Sequence, residues 1–331
     1  MRAFEYASPK QKQQVVELLG KQWGDAEVLA GGTDLLALMK DDIVRPRRLV
    51  NIKDIEDLRG TSFEPKTGLR IGALVTLTEL SENKSVVKAY PMLAAAAGDA
   101  ASPQVRNMAT IGGNMCQRPR CWFFRSGLGL LAKDSDGKSL VLQGDNRYHA
   151  ILGNDGPAYF VGPSTVAPAL IAYGARIRLL GPSGTRELPL EKFFVIPKTE
   201  GEREHDLAPN EIVTEIVVPP PATGVHAAHY EVRQKEAFDW PYVTASVALD
   251  QSGGKVRSAR VVMSHVAPIP WLSEEAAKAL VGKTVTEAVA DAAGAAAVSK
   301  AKSLGRNKQK IKMAHVAVKR AILRAAKGEQ A

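Results

Sequence analysis

Cysteine is scarce in this 331-residue chain: there are two, Cys116 and Cys121. Two thiols cannot make a disulfide framework for a chain of this length. They form a C-x4-C pair. That is too few ligands for a four-coordinate zinc site or a cysteine-held iron–sulfur cluster. Histidine is sparse too, with six residues and no H-x(3–5)-H spacing. No apolar run approaches the ~18 residues of a membrane span, so no membrane insertion is expected. Met1 to Tyr6 is too short and too polar for a signal peptide. The expected location is cytoplasmic, or periplasmic if the chain travels with a signal-bearing partner. Acidic residues are nearly missing from the end: residues 300–331 hold ten Lys or Arg against Glu329 alone. The whole net charge of +9 therefore sits there, and residues 1–299 balance at zero. That basic stretch lacks interleaved aromatics and matches no nucleic-acid module, so it reads as the solvated face of a terminal helix.

What is present is an ordinary globular composition, 45% hydrophobic and 24% charged. At ~100–200 residues per domain the length suggests two or three domains. Two glycine loops stand out. Leu29-Ala30-Gly31-Gly32-Thr33-Asp34-Leu35 follows a short apolar strand and opens a helix-like run to Met39. Ala109-Thr110-Ile111-Gly112-Gly113-Asn114 lies about eighty residues later and runs into Met115 to Arg125. Paired glycines let a loop turn sharply and bring bare N–H groups against an anion. Each loop alone also fits an ordinary tight turn, but the two together could grip a diphosphate from two sides.

Elsewhere, Phe4–Ala7 reads as a strand, with Ser8-Pro9 as N-cap and first residue of a helix ending at Gly20. Strands are expected around Leu49–Ile52, Leu69–Gly72, Arg176–Leu180 and Glu211–Val218. Pro163-Ser164 caps a helix over Thr165–Tyr173. The triple proline Pro219–Pro221 marks a domain boundary. Beyond it come strands at His229–Arg233, Val243–Leu249 and Val256–Met263, then helices at Thr286–Leu304 and Lys310–Ala326. Residues 126–147 show no clear pattern.

The sequence A-G-G-T-D-L near residue 30, A-T-I-G-G-N at 109–114, Pro209–Val213, Arg233–Val243 and Val266-Ala267-Pro268-Ile269-Pro270-Trp271 resemble one family. It is the FAD-binding medium subunit of the molybdenum hydroxylases: xanthine dehydrogenase, carbon monoxide dehydrogenase and aldehyde oxidoreductase. The stretches Gln117–Cys121 and Asn146–Gly153 are most similar to the periplasmic aldehyde oxidoreductase branch. The resemblance spans residues 1–325.

The resemblance implies an α+β chain. Residues 1–221 would form a vanillyl-alcohol-oxidase (PCMH)-type FAD-binding domain of two α/β subdomains, about 1–55 and 56–221. Residues 222–331 would form a C-terminal domain of a three-stranded antiparallel sheet with helices. The implied cofactor is FAD, with molybdopterin on a large partner subunit and two-iron clusters on a small one. Electrons would pass through this oxidoreductase subunit to an unnamed acceptor, and no catalytic acid or base is expected in the chain itself. The implied FAD contacts are Leu29, Ala30, Gly31, Gly32, Thr33, Asp34, Leu35, Thr110, Gly112, Gly113, Asn114, Thr165, Val213 and Glu231. Asp34 suits a phosphate poorly and is assigned a helix N-cap, backbone or ribityl contact. Val213 matches an apolar position that packs on the flavin ring.

Three departures from the family pattern stand out. The aldehyde branch carries further cysteines for a four-iron cluster; only Cys121 matches, and residues 126–145 hold none. No cluster is therefore expected in this chain. Thr165 replaces a common Asp. Glu231 aligns with a lysine common near the flavin ring, where a carboxylate would oppose charge on the reduced ring or face solvent. Two other readings stay open: a self-sufficient flavin oxidase or dehydrogenase of the same superfold, and a scaffold subunit that has lost FAD.

Overall fold

The structure, a computed structural model, describes residues 1–235 and 238–329. Glu236 and Ala237 of the Arg233–Val243 match, and Gln330 and Ala331 at the C-terminus, lie outside the described residues.

The first strands form a small parallel sheet. β1 (Glu5–Ala7), β2 (Ala26–Leu29) and β3 (Arg48–Asn51) lie in the order β1-β3-β2. Ser8 does not cap a helix as expected. Its hydroxyl accepts a hydrogen bond from Asn51 Nδ2 at 3.0 Å, which ties the end of β1 to the end of β3. The helix starts later, at Lys12–Leu18. The glycine loop after β2 leaves from the carboxyl edge of this sheet, where open α/β sheets present their ligand crevices. Helix Leu35–Lys40 follows it.

A second sheet is antiparallel. It joins β4 (Thr61–Glu64), β5 (Gly68–Gly72), β6 (Arg176–Gly181), β7 (Gly184–Pro189) and β8 (Ile212–Val218) in the order β4-β5-β8-β6-β7. Leu69, Ile71, Ile177, Leu179, Ile216 and Val218 from it share one apolar core with helices Pro91–Asp99 and Val166–Ala172. Thr76 and Glu79 form a capping box at helix Leu77–Glu82, two reciprocal bonds that fix where the chain turns from β5 toward the helices. Ser164 caps Val166–Ala172 as expected, its hydroxyl accepting from Ala167 N at 2.9 Å.

The third sheet corrects an expectation. Its three long strands, β9 (Val225–Val232), β10 (Val243–Ser252) and β11 (Lys255–Ser264), gain a fourth, β12 (Trp271–Leu272). The order is β12-β11-β10-β9, and the loop with Pro268 and Pro270 returns the chain so that Trp271 pairs with Met263. Two residues are too few to show a period of two, so no alternation could announce the strand. Helices Glu274–Leu280, Glu287–Ala297 and Lys308–Lys327 pack on this sheet. The helix expected to reach Leu304 ends at Ala297. The following segment is claimed by the middle of the chain: Lys302 N donates to Ile151 O, and Asn146 Nδ2 to Leu304 O. Among the described residues no helix is long and apolar enough to cross a membrane.

Candidate functional site

The two glycine loops meet face to face. A Cβ on Gly31 would lie 1.8 Å from the carbonyl oxygen of Met108, so only glycine lets the loops approach this closely. Gly112 is constrained less severely: its Cβ would fall 2.9 Å from that of Ala73. Gly113 is different: a Cβ there would meet only Thr110 Oγ1, at 3.0 Å. Between the loops runs a cleft of about 480 Å³. Ala30 to Leu35, Thr110, Gly112, Gly113, Asn114, Thr165 and Val213 all line it.

The loops do not contribute equally. The N–H groups of Gly32, Thr33, Asp34 and Leu35 have no protein partner among the described residues. This is the free backbone nest the sequence suggested. In the second loop the N–H groups of residues 111–114 are already used. Ile111 donates to Val75 O, Gly112 to Ala73 O, Gly113 to Thr110 Oγ1 and Asn114 to Thr110 O. Bare backbone donors were expected there too, and the structure corrects this: Thr110 caps its own helix, Ile111–Cys116. What the loop offers instead is a side chain. Ser164 Oγ donates to Asn114 Oδ1 at 2.6 Å, which leaves the Asn114 amide nitrogen for the cleft.

Asp34 makes a backbone contact, one of the roles expected for it, and adds two arginine contacts. It occupies the N-cap position of Leu35–Lys40, but its side chain makes no capping bond. Its carboxylate instead accepts from Arg118 N, Arg125 Nη2 and Arg120 Nη1, each at 2.8 Å. Three donors converge on one carboxylate, so the first glycine loop is bolted to residues 118–125. Arg120 then lies over the Trp240 ring, 4.7 Å from its centroid, and both residues line the cleft. Burial lowers the Arg120 pKa from its ordinary value, and the Asp34 charge opposes that shift.

Two expected contacts do not reach the cleft. Leu29 packs with Met39 and Leu49 beneath the loop. Glu231 is buried rather than solvent-facing, bonded to His229 Nε2 at 3.0 Å and paired with Arg233. Burial would raise its pKa, but His229 and Arg233 pull it down to about 2. Arg233, not Glu231, is on the cleft wall. Sequence reasoning missed Arg233, Arg120 and Arg203, the last stacked 4.1 Å over the Trp23 ring. Isolated arginines carry no local pattern, and only the fold brings them together.

The cysteines are not paired with each other. Burial pushes the Cys116 thiol up to about 12. Cys121 Sγ sits 3.1 Å from His149 Nε2, and burial raises its pKa as well. Among the described residues no group of three or more His, Cys, Asp or Glu is placed to hold a metal ion.

The donor set suits FAD. A nest of free N–H groups and the Asn114 amide match the anionic oxygens of a diphosphate, since bonds to charged acceptors are about twice as strong as neutral ones. Apolar residues among those lining the cleft, Val213, Leu77, Ala100 and Ala101 included, suit a flat aromatic ring.

Comparison with known proteins agrees. Residues 2–221 match the family model of the FAD-binding domain in molybdopterin dehydrogenase, and residues 228–325 that of the CO dehydrogenase flavoprotein C-terminal domain. The carbon monoxide dehydrogenase medium chain of Hydrogenophaga pseudoflava is 33% identical over 89% of this chain and 86% of its own. An aldehyde oxidoreductase FAD-binding subunit of Escherichia coli is 32% identical over 83% of this chain and 85% of its own. A Hydrogenophaga pseudoflava carbon monoxide dehydrogenase structure superposes with a TM-score of 0.77, covering 100% of this chain and 99% of that one at 33% identity. The reconstituted carbon monoxide dehydrogenase of Oligotropha carboxidovorans gives 0.76, covering 98% of each at 30% identity. With family models matched along nearly its whole length and a cleft whose donors suit the same cofactor, the chain belongs to the FAD-binding flavoprotein subunits of the molybdenum hydroxylase family.

Proposed function

We propose that this chain binds FAD between its two glycine loops and serves as the electron-transfer subunit of a molybdopterin-dependent dehydrogenase complex. The observation that carries the reading is the free N–H nest at Gly32–Leu35, facing Asn114 across the cleft. In this reading Gly32, Thr33 and Asn114 bind the diphosphate. Asp34 acts through Arg120 and Arg125 to hold the loop in place, and Val213 packs on the ring. Bound FAD supplies reversible electron acceptance; the protein supplies binding, orientation and tuning. No acid–base group of this chain has a role in the chemistry.

The partners in this reading are a large subunit bearing molybdopterin and a small subunit bearing two-iron clusters. The names of the relatives, a medium chain and a FAD-binding subunit, support a division of labour among chains. The division at residue 221 into a FAD-binding part and a C-terminal part belongs to the same proposal.

The test is the visible absorption spectrum of the purified chain, with iron assayed on the same sample. Flavin bands without iron are expected. A chain that stays colourless after FAD is added would overturn the reading. Iron at stoichiometric level would mean that Cys116 or Cys121 recruits ligands from another chain.

A further inference from the structure

Asn114 lines the cleft, and Ser164 stands buried behind it. The Ser164 hydroxyl accepts from Ala167 N at 2.9 Å and donates to Asn114 Oδ1 at 2.6 Å. An asparagine amide has an acceptor on one side and a donor on the other. With Oδ1 engaged by Ser164, Nδ2 is left without a protein partner among the described residues. The direction of that donor is therefore set by where Ser164 sits.

Ser164 is in turn placed from a distant part of the chain. Gly162 N donates to Ala267 O at 2.9 Å, and Ser264 Oγ donates to Ser164 O at 2.8 Å, with Gly162 O a longer alternative at 3.3 Å. His265 Nε2 lies 3.3 Å from Pro163 O. A carbonyl only accepts, so Nε2 carries the proton, and Nδ1 accepts from Thr244 Oγ1 at 3.0 Å. Burial lowers the His265 pKa to about 4, which keeps this neutral form at ordinary pH. His265 also has a φ of +63°, uncommon for a residue with a side chain. Such a backbone persists only where its surroundings hold it. Here Thr244 on one side and Pro163 on the other do so. Thr244, Ser264 and His265 are all buried. A run of buried bonds thus leads from β10 and the end of β11, through residues 162–164, to one amide on the cleft wall.

We propose that Ser264 and His265 are positioning residues for FAD binding, holding residues 162–164 so that Ser164 keeps the Asn114 amide donor turned into the cleft. This rests on the reading above that Asn114 binds FAD. Neither Ser264 nor His265 lines the cleft, yet FAD affinity depends on both. The C-terminal sheet is thereby part of the binding site without touching the cofactor.

The test is a double-mutant cycle on the FAD dissociation constant, read from the change in flavin fluorescence as the full-length apo-chain is added. Asn114→Ala removes a hydrogen bond to a charged group and is expected to weaken binding roughly tenfold or more. Ser264→Ala leaves the amide present but no longer aimed, and is expected to weaken binding about threefold to tenfold. In the double variant the Ser264→Ala loss disappears, because no amide is left to aim. Ser273→Ala is the control. It removes another buried hydroxyl of the same part of the chain, one that accepts from Ala276 N at a helix start. It should lower the unfolding midpoint and leave FAD affinity unchanged.

Losses that simply add in the double variant overturn the proposal, because Ser264 would then act on general stability and not through Asn114. Wild-type affinity in Ser264→Ala or in Asn114→Ala overturns it too, as does an equal loss in Ser273→Ala. If Ser264→Ala does not fold, His265→Asn takes its place in the same cycle. Asparagine tolerates the left-handed backbone but is shorter than the imidazole that joins Thr244 to Pro163. A wild-type chain that binds no FAD sinks the functional reading and this proposal with it; FAD bound normally, with additive losses in the cycle, sinks only this proposal.

Discussion

Asp34 Oδ1 lies 2.8 Å from Nη1 of Arg120, and this contact joins the first glycine loop to a segment more than eighty residues away. The same carboxylate also takes the Arg118 N–H and the Arg125 guanidinium. Removing it leaves two part-buried arginines facing each other without a counter-charge. Asp34→Ala is expected to cost about 3–5 kcal/mol of stability, the usual range for breaking a buried pair from one side. Urea unfolding would show this. FAD affinity should fall with it, since the loop is no longer held.

The glycines of the two loops should respond differently to substitution. A side chain at Gly113 would press only on Thr110 Oγ1, at 3.0 Å, which must give by a few tenths of an ångström. Gly113→Val should therefore give a folded chain without FAD, its branches filling diphosphate space. Gly31→Ala instead drives a methyl into the Met108 carbonyl, so it should lower stability as well as FAD content. Circular dichroism and the flavin-to-protein ratio, measured together, tell the two cases apart. Stoichiometric FAD in a folded Gly113→Val chain would remove the diphosphate from this loop.

Lys310 gives a pH prediction. Its amine is buried and donates to the carbonyls of Tyr148 and His149, and burial lowers its pKa from 10.5 to about 7. Below pH 7 it is charged in both folded and unfolded states, and the full burial penalty stands. Between about 7 and 10.5 the unfolded chain binds the extra proton, so stability gains up to about 1.4 kcal/mol per pH unit from this group. Lys310→Met lacks that gain. Its stability relative to wild type should therefore be most favourable near neutral or lower pH and decline steadily as pH rises. Paired denaturation curves across pH check it, and parallel curves would contradict it.

Both thiols should be slow to react in the native chain. Burial raises the Cys116 and Cys121 pKa values, and the thiolate is the reactive form. A thiol reagent at mildly alkaline pH should label neither at the start, and both after unfolding. Fast labelling of Cys121 in the native state would show that the His149 contact activates it.

Much of the fold was legible along the chain. β8 and β10 were expected as strands, and Ser164 as the cap of its helix. β4 and β7 went unread because they are short, largely exposed edge strands whose pairing comes from their neighbours. The span 126–147 was opaque for another reason. Its end is ordered by the buried side chain of Asn146, which bonds the backbone carbonyl of Leu304, far off in sequence.

The sequence by itself determined the two glycine loops, their separation and the family they belong to, because a turn that needs glycine leaves a local mark. It also determined where the basic charge lies. Only the tertiary structure decided which loop keeps its N–H groups free, since two donors of the second, Ile111 and Gly112, are taken by Val75 and Ala73, residues nearly forty positions earlier. It alone chose among the roles open to Asp34, giving it the Arg118 N–H and two arginines, and paired Glu231 with Arg233 instead of placing it on the cleft wall. The partner of a charge is set by distance in space, and a pattern read along one dimension carries no record of it.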